Sequence, residues 1–226
     1  MEKIQISLDA FNKMKPLKKD IVHLHRNQIY KYSPETLEIV TAIDSFKSNP
    51  VFNHIAVPTA YLYDKKTYFG YAMKYYKKLH DVEEAIKKGI IKDIEKYAQE
   101  LLSIIEELNK LNLCYWDFHY QNILSDKKGH PFILDIDDME YFPSNEDLHS
   151  QREYLSEFLL CIYLNQRKSV HAFARQEAIQ KYFSDKTLMY IDTLGDLKED
   201  APPLPYCIIE ELHDEDKREM IKSKII

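Results

Sequence analysis

The chain has 226 residues, of which 45% are apolar and 30% charged, and this suits one globular domain or two small lobes. Its longest apolar run, from Phe158 to Leu164, is far too short to span a bilayer, and the first residues lack the apolar segment of a signal peptide, so we expect no membrane insertion. The net charge of −6 argues against general nucleic-acid binding, and three scattered cysteines, Cys114, Cys161 and Cys207, favour a cytoplasmic protein with buried thiols.

The first fifty residues alternate between strand and helix signals. Residues 4–8 fit a strand, or Ser7 caps a short helix, and Pro16 interrupts the pattern that follows. Residues 21–33 contain two apolar segments around an Arg-Asn turn, which predicts an antiparallel hairpin. A helix is expected from Ser33 onward, because a capping residue there precedes a proline in the first turn.

Strand signals continue to residue 76, and helical signals dominate after it. Residues 54–63 and 67–76 read as two strands around a YDKKT turn. Between residues 90 and 111 the apolar positions recur at helical spacing: Ile94, Tyr97, Leu101, Ile105 and Leu108. Three further segments are predicted to be helical, with a linker at 200–206 before the last: 152–164, 168–183 and 207–224.

One stretch, YWDFHYQNILSDKKGHPFILDIDD, carries the strongest chemical signal. Asn122 follows Asp117 by five positions, and Asp135 follows Asn122 by thirteen. Two short apolar segments around a DKKG turn predict a hairpin that brings Asn122 and Asp135 side by side, and Asp117 on the preceding loop reaches the same point. Two carboxylates and an amide oxygen suit Mg²⁺, with one carboxylate left over to orient a nucleophile.

This stretch resembles the catalytic core of the protein-kinase-like superfamily. The family pattern is D-x-x-x-x-N, a hairpin, and the metal-binding aspartate of D-F-G. Here the two halves read Asp117-Phe-His-Tyr-Gln-Asn122 and Asp135-Ile-Asp137. His119 is similar to the histidine of small-molecule kinases such as the aminoglycoside and choline kinases, where most protein kinases have lysine.

The resemblance implies a two-lobed α+β fold, with a small antiparallel-sheet N-lobe over residues 1–76 and a mostly helical C-lobe over residues 77–226. Lys31 then takes the place of the strand lysine that holds the α- and β-phosphates of the nucleotide. Its expected partner is Glu38 on the following helix, with Glu35 as the alternate one turn earlier. Four residues would supply the gatekeeper and the hinge that binds adenine: Met73, Lys74, Tyr75 and Tyr76.

The resemblance also implies an enzyme that uses ATP and Mg²⁺ to transfer a γ-phosphoryl group to a hydroxyl, on a small molecule or on a protein serine or threonine. Asp117 is the expected catalytic residue and accepts the proton of that hydroxyl. Asn122 and Asp135 would hold Mg²⁺. Asp137 would take a second ion or only orient the first ion's ligands, and His119 would bond Asp117 or the backbone.

Charge is distributed unevenly along the chain. Residues 1–77 carry 12 Lys and Arg against 7 Asp and Glu, so the N-terminal part is positive and the remainder acidic. A positive part favours a polyphosphate, and an acidic part favours a cationic acceptor, although ordinary surface variation explains the same numbers. The acidic residues of segment 207–224, including Glu210 and Glu211, could bind a cationic substrate, but a solvent-exposed acidic face is the favoured interpretation.

Two departures from the family leave other functions open. The sequence has no glycine-rich loop, and no A-P-E segment closes the short stretch after Asp138. Backbone amides could still contact the phosphates, or Lys15, Lys18 and Lys19 could supply charge, although each of these lysines is more readily explained as a solvated surface residue. A pseudokinase or nucleotide-binding scaffold acting through a protein partner is the main alternative. Transfer of AMP by a kinase fold is a second. A metal-dependent hydrolase built on Asp117, His119 and the later aspartates is a third.

Overall fold

The N-terminal part is organised around a six-stranded sheet. The structure is a computed structural model that describes residues 1–18, 21–164, 180–194 and 200–223. The strands are β1 (Glu2–Gln5), β2 (Lys15–Lys18), β3 (Val22–His25), β4 (Gln28–Tyr32), β5 (Pro58–Asp64) and β6 (Thr67–Lys74). Their order in the sheet is β1-β5-β6-β4-β3-β2, and every pair is antiparallel except β1 with β5.

Two helices accompany this sheet. Ser7 accepts a hydrogen bond from the amide of Ala10 and caps α1 (Leu8–Asn12), so residues 2–12 contain a strand and then a helix. A short 3-10 turn (Pro34–Thr36) leads into α2 (Leu37–Phe46), which buries Val40 and Ile43 against the sheet side of the core. Another 3-10 turn (Pro50–His54) connects α2 to β5.

The C-terminal part is mostly helical, with five short strands. Its elements are β7 (His80–Asp81), α3 (Val82–Lys87), α4 (Ile94–Lys110), β8 (Leu113–Tyr115), β9 (Ile123–Ser125), β10 (Pro131–Ile133), β11 (Met139–Tyr141), α5 (Asn145–Leu164), α6 (Asp185–Leu194), α7 (Tyr206–Leu212) and α8 (Glu215–Lys222). Asp93 caps α4, whose predicted apolar face is buried, and α5 is buried along most of its length. Burial of these two helices contributes apolar stabilisation to the core.

The predicted α+β fold class is confirmed: the chain has a sheet-rich N-terminal part and a helical C-terminal part. One apolar core runs through both parts, and the backbones meet where the amide of Ala56 donates to the carbonyl of Ile133 at 2.8 Å. The division of the chain at residue 76 stays a prediction. No helix within the described ranges is long and apolar enough to cross a membrane.

Several predicted boundaries were wrong for local reasons. Pro16 lies within strand β2, which it can do because β2 is the edge of the sheet. The strand expected from residue 54 begins at Pro58, after the 3-10 turn. The last predicted helix is two helices, since Asp214 caps α8 by accepting from the amide of Lys217. The helix expected over 168–183 lies mainly outside the described residues.

Candidate active site

The predicted hairpin is present and forms the base of the site. Strands β9 and β10 pair antiparallel, and beyond them the amide of Leu134 donates to the carbonyl of Asn122 at 2.8 Å. The connecting turn is held by Asp126, whose side chain accepts from two backbone amides, and by Gly129, whose φ of 89° suits glycine. Asn122 and Leu134 are therefore partners, so Asp135 follows at the same end of the hairpin.

Asp117 is held by residues of its own loop. The Asn122 amide nitrogen and Nε2 of His119 both contact Oδ2 of Asp117, the latter at 3.2 Å. The backbone N–H of Gln121 donates to Nδ1 of His119 at 3.1 Å, so the histidine proton lies on Nε2, which donates to Asp117. The Tyr115 hydroxyl donates to the Asp117 carbonyl at 2.8 Å. Asp138, after β10, shares a further side-chain hydrogen bond with Asp117.

Two neighbouring carboxyls at this loop have pKa values shifted in opposite directions. The hydrogen bond from His119 is the largest cause that lowers the pKa of Asp117, which therefore stays ionised. Burial, followed by the charge of Asp117, raises the pKa of Asp138 to about 6. A carboxylate that stays ionised beside an acceptor hydroxyl is suited to take its proton.

Lys31 brings the N-terminal sheet to the same region. Its Nζ lies 2.7 Å from both carboxylate oxygens of Asp135 and 2.8 Å from Oδ2 of Asp137. Lys31 is only 8% exposed, and its burial by itself lowers the pKa of its ammonium. The charges of Asp135 and Asp137 outweigh that effect and raise the pKa, so Lys31 stays charged.

Asp137 is surrounded by donors from the sheet. The Tyr71 hydroxyl donates to Oδ1 of Asp137 at 2.7 Å, and Oγ of Ser33 lies 2.9 Å from Oδ2. Tyr71 is completely buried, and this burial, together with the charge of Asp137, raises the pKa of its phenol well above the usual value. Tyr71 is thus a permanent donor to Asp137.

The prediction that Glu38 is the partner of Lys31 was wrong. Glu38 is exposed on α2, next to buried Ile39, and the carboxylates that contact Lys31 are the two aspartates. The alternate, Glu35, is also exposed and accepts from Oγ of Ser33 at 2.9 Å. A nucleotide role for Glu38 stays a prediction that these contacts do not support.

The four predicted hinge residues lie at the end of β6 and just beyond it. Met73 is buried opposite Ile29 of β4, and Lys74 is exposed. The amide of Tyr75 donates to the carbonyl of Asn27 at 3.2 Å, and the ring of Tyr76 lies 4.7 Å from that of Phe132. Contact of this segment with adenine stays a prediction, and the Tyr75 amide already has a partner.

Sequence reasoning missed three polar residues of the site, Ser33, Tyr71 and Asp138. The register of β4 on β6 pairs Lys31 directly with Tyr71, so their side chains share a face of the sheet. Strand alternation counted back from Met73 would have indicated Tyr71. For Asp138 the signal was its place beside Asp135 and Asp137, although spacing alone does not show that it faces Asp117.

The side-chain oxygens of Asn122 and Asp135 are the candidate ligands for the predicted magnesium ion. Among the residues that the structure describes, no three His, Cys, Asp or Glu side chains form a ready metal cluster. Asp135 and Asn122 nevertheless offer carboxylate and amide oxygens from one end of a hairpin, and Mg²⁺ commonly takes one or two protein carboxylates with phosphate and water oxygens completing its shell. The residues present fit such an ion.

Of the comparisons with known proteins, the one with solved structures gave matches. No family model and no curated protein matches the chain. Among solved structures 801 chains match, including one described as the ROP18 kinase domain in complex with AMP-PNP and sucrose. That structure has a TM-score of 0.48 and 13% identity, and the match covers 87% of this chain and 73% of the other.

Proposed function

We propose that the protein is a phosphotransferase that uses ATP and Mg²⁺ to move the γ-phosphoryl group to a hydroxyl acceptor. The observation that carries the proposal is the convergence of Lys31 from β4 with Asp135 beyond β10, at 2.7 Å across 104 positions of sequence. A buried lysine on the sheet, an aspartate pair and an ionised Asp117 are the groups that phosphoryl transfer requires.

Each side chain has a role that follows from its surroundings. Lys31, charged and buried, would bind the α- and β-phosphates, because its ammonium is a compact cation. Asp135 and Asn122 would hold Mg²⁺, which neutralises charge on the nucleotide phosphates when bound. Asp117 would orient the acceptor hydroxyl and accept its proton, since its lowered pKa keeps it in the basic form.

The acceptor is proposed only as a hydroxyl compound, with cations among the candidates. In the acidic segment 207–224, which suggested a cationic acceptor, two glutamates already pair with other side chains of the protein. Glu211 contacts Ser184, Thr187 and Lys217, and Glu210 pairs with Lys186. The remaining support for a cationic acceptor is the excess of carboxylates around Asp117 and Asp138.

A thermal-shift assay with ATP, ADP and GTP, each with Mg²⁺ or with EDTA, tests the nucleotide site first. A ligand at about 100 times its Kd stabilises the folded state by about 2.7 kcal/mol, which is readily measured. ATP turnover, followed as ADP release with candidate hydroxyl acceptors, tests the transfer. The absence of any nucleotide shift at millimolar concentrations would contradict the proposal.

The second candidate is a nucleotide-binding scaffold without catalysis, and one observation favours it. Both oxygens of Asp135 contact Lys31, and neither glutamate of the Pro34–Phe46 region contacts that lysine. Nucleotide binding without ADP release, over a broad set of acceptors, would favour the scaffold. Release of pyrophosphate instead of ADP would indicate AMP transfer.

A further inference from the structure

We propose that Asp137 is the positioning residue of Lys31, in place of a helix glutamate, and that it does not ligate the metal. This inference deepens the proposed function and rests on it for the role of Lys31 toward the nucleotide. It concerns a carboxylate whose contacts come from the N-terminal sheet, although Asp137 itself belongs to the segment after β10.

Three donors occupy the Asp137 carboxylate. Lys31 lies 2.8 Å from Oδ2, Oγ of Ser33 lies 2.9 Å from the same oxygen, and the Tyr71 hydroxyl lies 2.7 Å from Oδ1. Ser33 has a single hydroxyl proton and is equally close to Glu35, so it divides its donation between two carboxylates. Lys31 and Tyr71 are therefore the constant partners, one for each oxygen.

The sheet itself brings these donors together. Lys31 and Tyr71 are directly opposite in the β4–β6 ladder, and Tyr32 is opposite Gly70. A side chain at Gly70 would overlap the carbonyl of Lys31 and approach the amide of Ser33, so glycine permits the close approach of the two strands. The arrangement of donors is thus a property of the strand pairing and precedes any ligand.

A metal ion would compete with Lys31 for the oxygens of Asp135. It would not displace the donors that contact Asp137. Lys31 has three N–H donors and places two of them on Asp135 and one on Asp137. When Asp135 turns its oxygens to an ion, Lys31 loses those contacts and keeps Asp137. Tyr71 is buried and would lose its hydroxyl partner if Asp137 moved to a metal, which makes that movement costly.

The two roles for Asp137 differ in whether they need the metal. A positioning residue acts on Lys31 in both arms, so its loss weakens ATP binding with EDTA as well as with Mg²⁺, and by at least as much in the Mg²⁺ arm, where Asp135 no longer contacts Lys31. A metal ligand acts only when the ion is present, so its loss weakens binding in the Mg²⁺ arm alone. Calorimetric Kd values for ATP in both arms therefore separate the two roles.

The experiment compares Asp137→Asn and Tyr71→Phe with the unchanged chain. We expect the Kd for ATP to rise about tenfold in both arms for Asp137→Asn and about threefold for Tyr71→Phe. Asp44→Asn is the control for Asp137→Asn, because the side chain of Asp44 is 21% exposed and that of Asp137 is 22% exposed. Tyr61→Phe is the control for Tyr71→Phe, because Tyr61 lies opposite Tyr71 on β5 and its hydroxyl also contacts an aspartate, Asp44. Both controls should keep the original Kd.

Thermal unfolding of the same variants tests the contact independently of any nucleotide. We expect Asp137→Asn and Tyr71→Phe each to lower Tm by about 2–6 °C, and the double variant to lower it by less than the sum of the two, because they share one hydrogen bond. Loss of binding in the Mg²⁺ arm only, or additive Tm changes, would overturn the inference. If the unchanged chain binds no ATP in either arm, the proposed function fails together with the role of Lys31, whereas the Tm cycle still decides the Tyr71–Asp137 contact.

Discussion

The two carboxylate groups of the site are held in different ways. Asp117 takes most of its side-chain bonds from His119 and Asn122, which are two and five positions away, with one further bond to Asp138. Asp137 takes its side-chain bonds from Tyr71, Lys31 and Ser33, which are 66 to 106 positions away. The first group is a local loop, and the second is a junction between the sheet and the helical part.

This difference shows which part of the site depends on the whole fold. Most bonds of the loop close within Tyr115–Asn122, and Asp138, after β10, adds one further side-chain hydrogen bond to Asp117. The junction exists only when β4, β6 and the segment after β10 are assembled. Changes to the loop should therefore alter chemistry with little loss of stability, and changes to the junction should alter binding and stability together.

The largest effect is expected at the junction, for Asp135→Asn. This change removes the main charge available to Mg²⁺ and leaves Lys31 with one carboxylate. We expect Mg²⁺-dependent ATP turnover to fall about 10³-fold or more, measured as ADP release over a range of Mg²⁺ concentrations. Turnover equal to that of the unchanged chain would contradict the assignment of Asp135.

Asp117→Ala tests the local loop. Turnover should fall about 10²–10³-fold because the acceptor loses its base, while the Kd for ATP and Tm stay nearly unchanged. Steady-state ADP release and calorimetry on the same sample make this comparison. An equal loss of turnover and ATP binding would show that Asp117 has a different role.

Gly70→Ala tests the strand pairing under the junction. The added Cβ would overlap the Lys31 carbonyl, and relief requires backbone movement, so we expect a loss of about 2–3 kcal/mol in unfolding free energy by urea denaturation. Gly89→Ala is the control: its φ of 66° is unfavourable for alanine, but nothing lies within 4 Å of the added carbon. It should lose about 1 kcal/mol. Equal losses would contradict the steric explanation.

Outside the site, Glu211 is a carboxylate whose hydrogen-bond partners include residues distant in sequence. Burial alone would raise its pKa, but hydrogen bonds from Lys217, Ser184 and Thr187 lower the pKa to about 2. Its stabilising contribution is therefore complete above the unfolded pKa near 4.5 and is lost as the pH falls toward 2.

At neutral pH, Glu211→Gln should cost about 1–2 kcal/mol in urea denaturation and flatten the loss of stability between pH 4.5 and 2. Glu210→Gln, at the exposed neighbour, is the control and should change neither quantity. A pH profile of unfolding that is the same for Glu211→Gln and the unchanged chain would refute the role of Glu211.

The smallest effect is expected for His119→Ala, within the loop. The variant loses the hydrogen bond that lowers the pKa of Asp117, so turnover should fall about three- to tenfold. The pKa of Asp117 should rise, and the acidic limb of the pH–rate profile should move to higher pH. His213→Ala, a surface change, is the control. A profile that keeps its acidic limb in place would exclude His119 as the group that adjusts Asp117.

The sequence by itself determined the local arrangement of the loop and the hairpin. Asp117, His119 and Asn122 are close in sequence, and the hairpin signal around Gly129 correctly predicted that Asn122 and Asp135 share one end. Strand and helix periodicity likewise predicted the α+β division, because each element buries one face and repeats with its own period. Helix ends and the strand at Pro16 were wrong, since capping by Asp214 and an edge position override the average pattern.

Only the tertiary structure decided which carboxylate holds Lys31. The resemblance to kinases favoured Glu38, but which side chain contacts a buried ammonium depends on strand register and on how α2 packs, and no local pattern specifies either. The register placed Tyr71 beside Lys31, and the chain after β10 brought Asp137 to both. Because Lys31 is buried, its charge must be paired with the carboxylates that the fold places beside it.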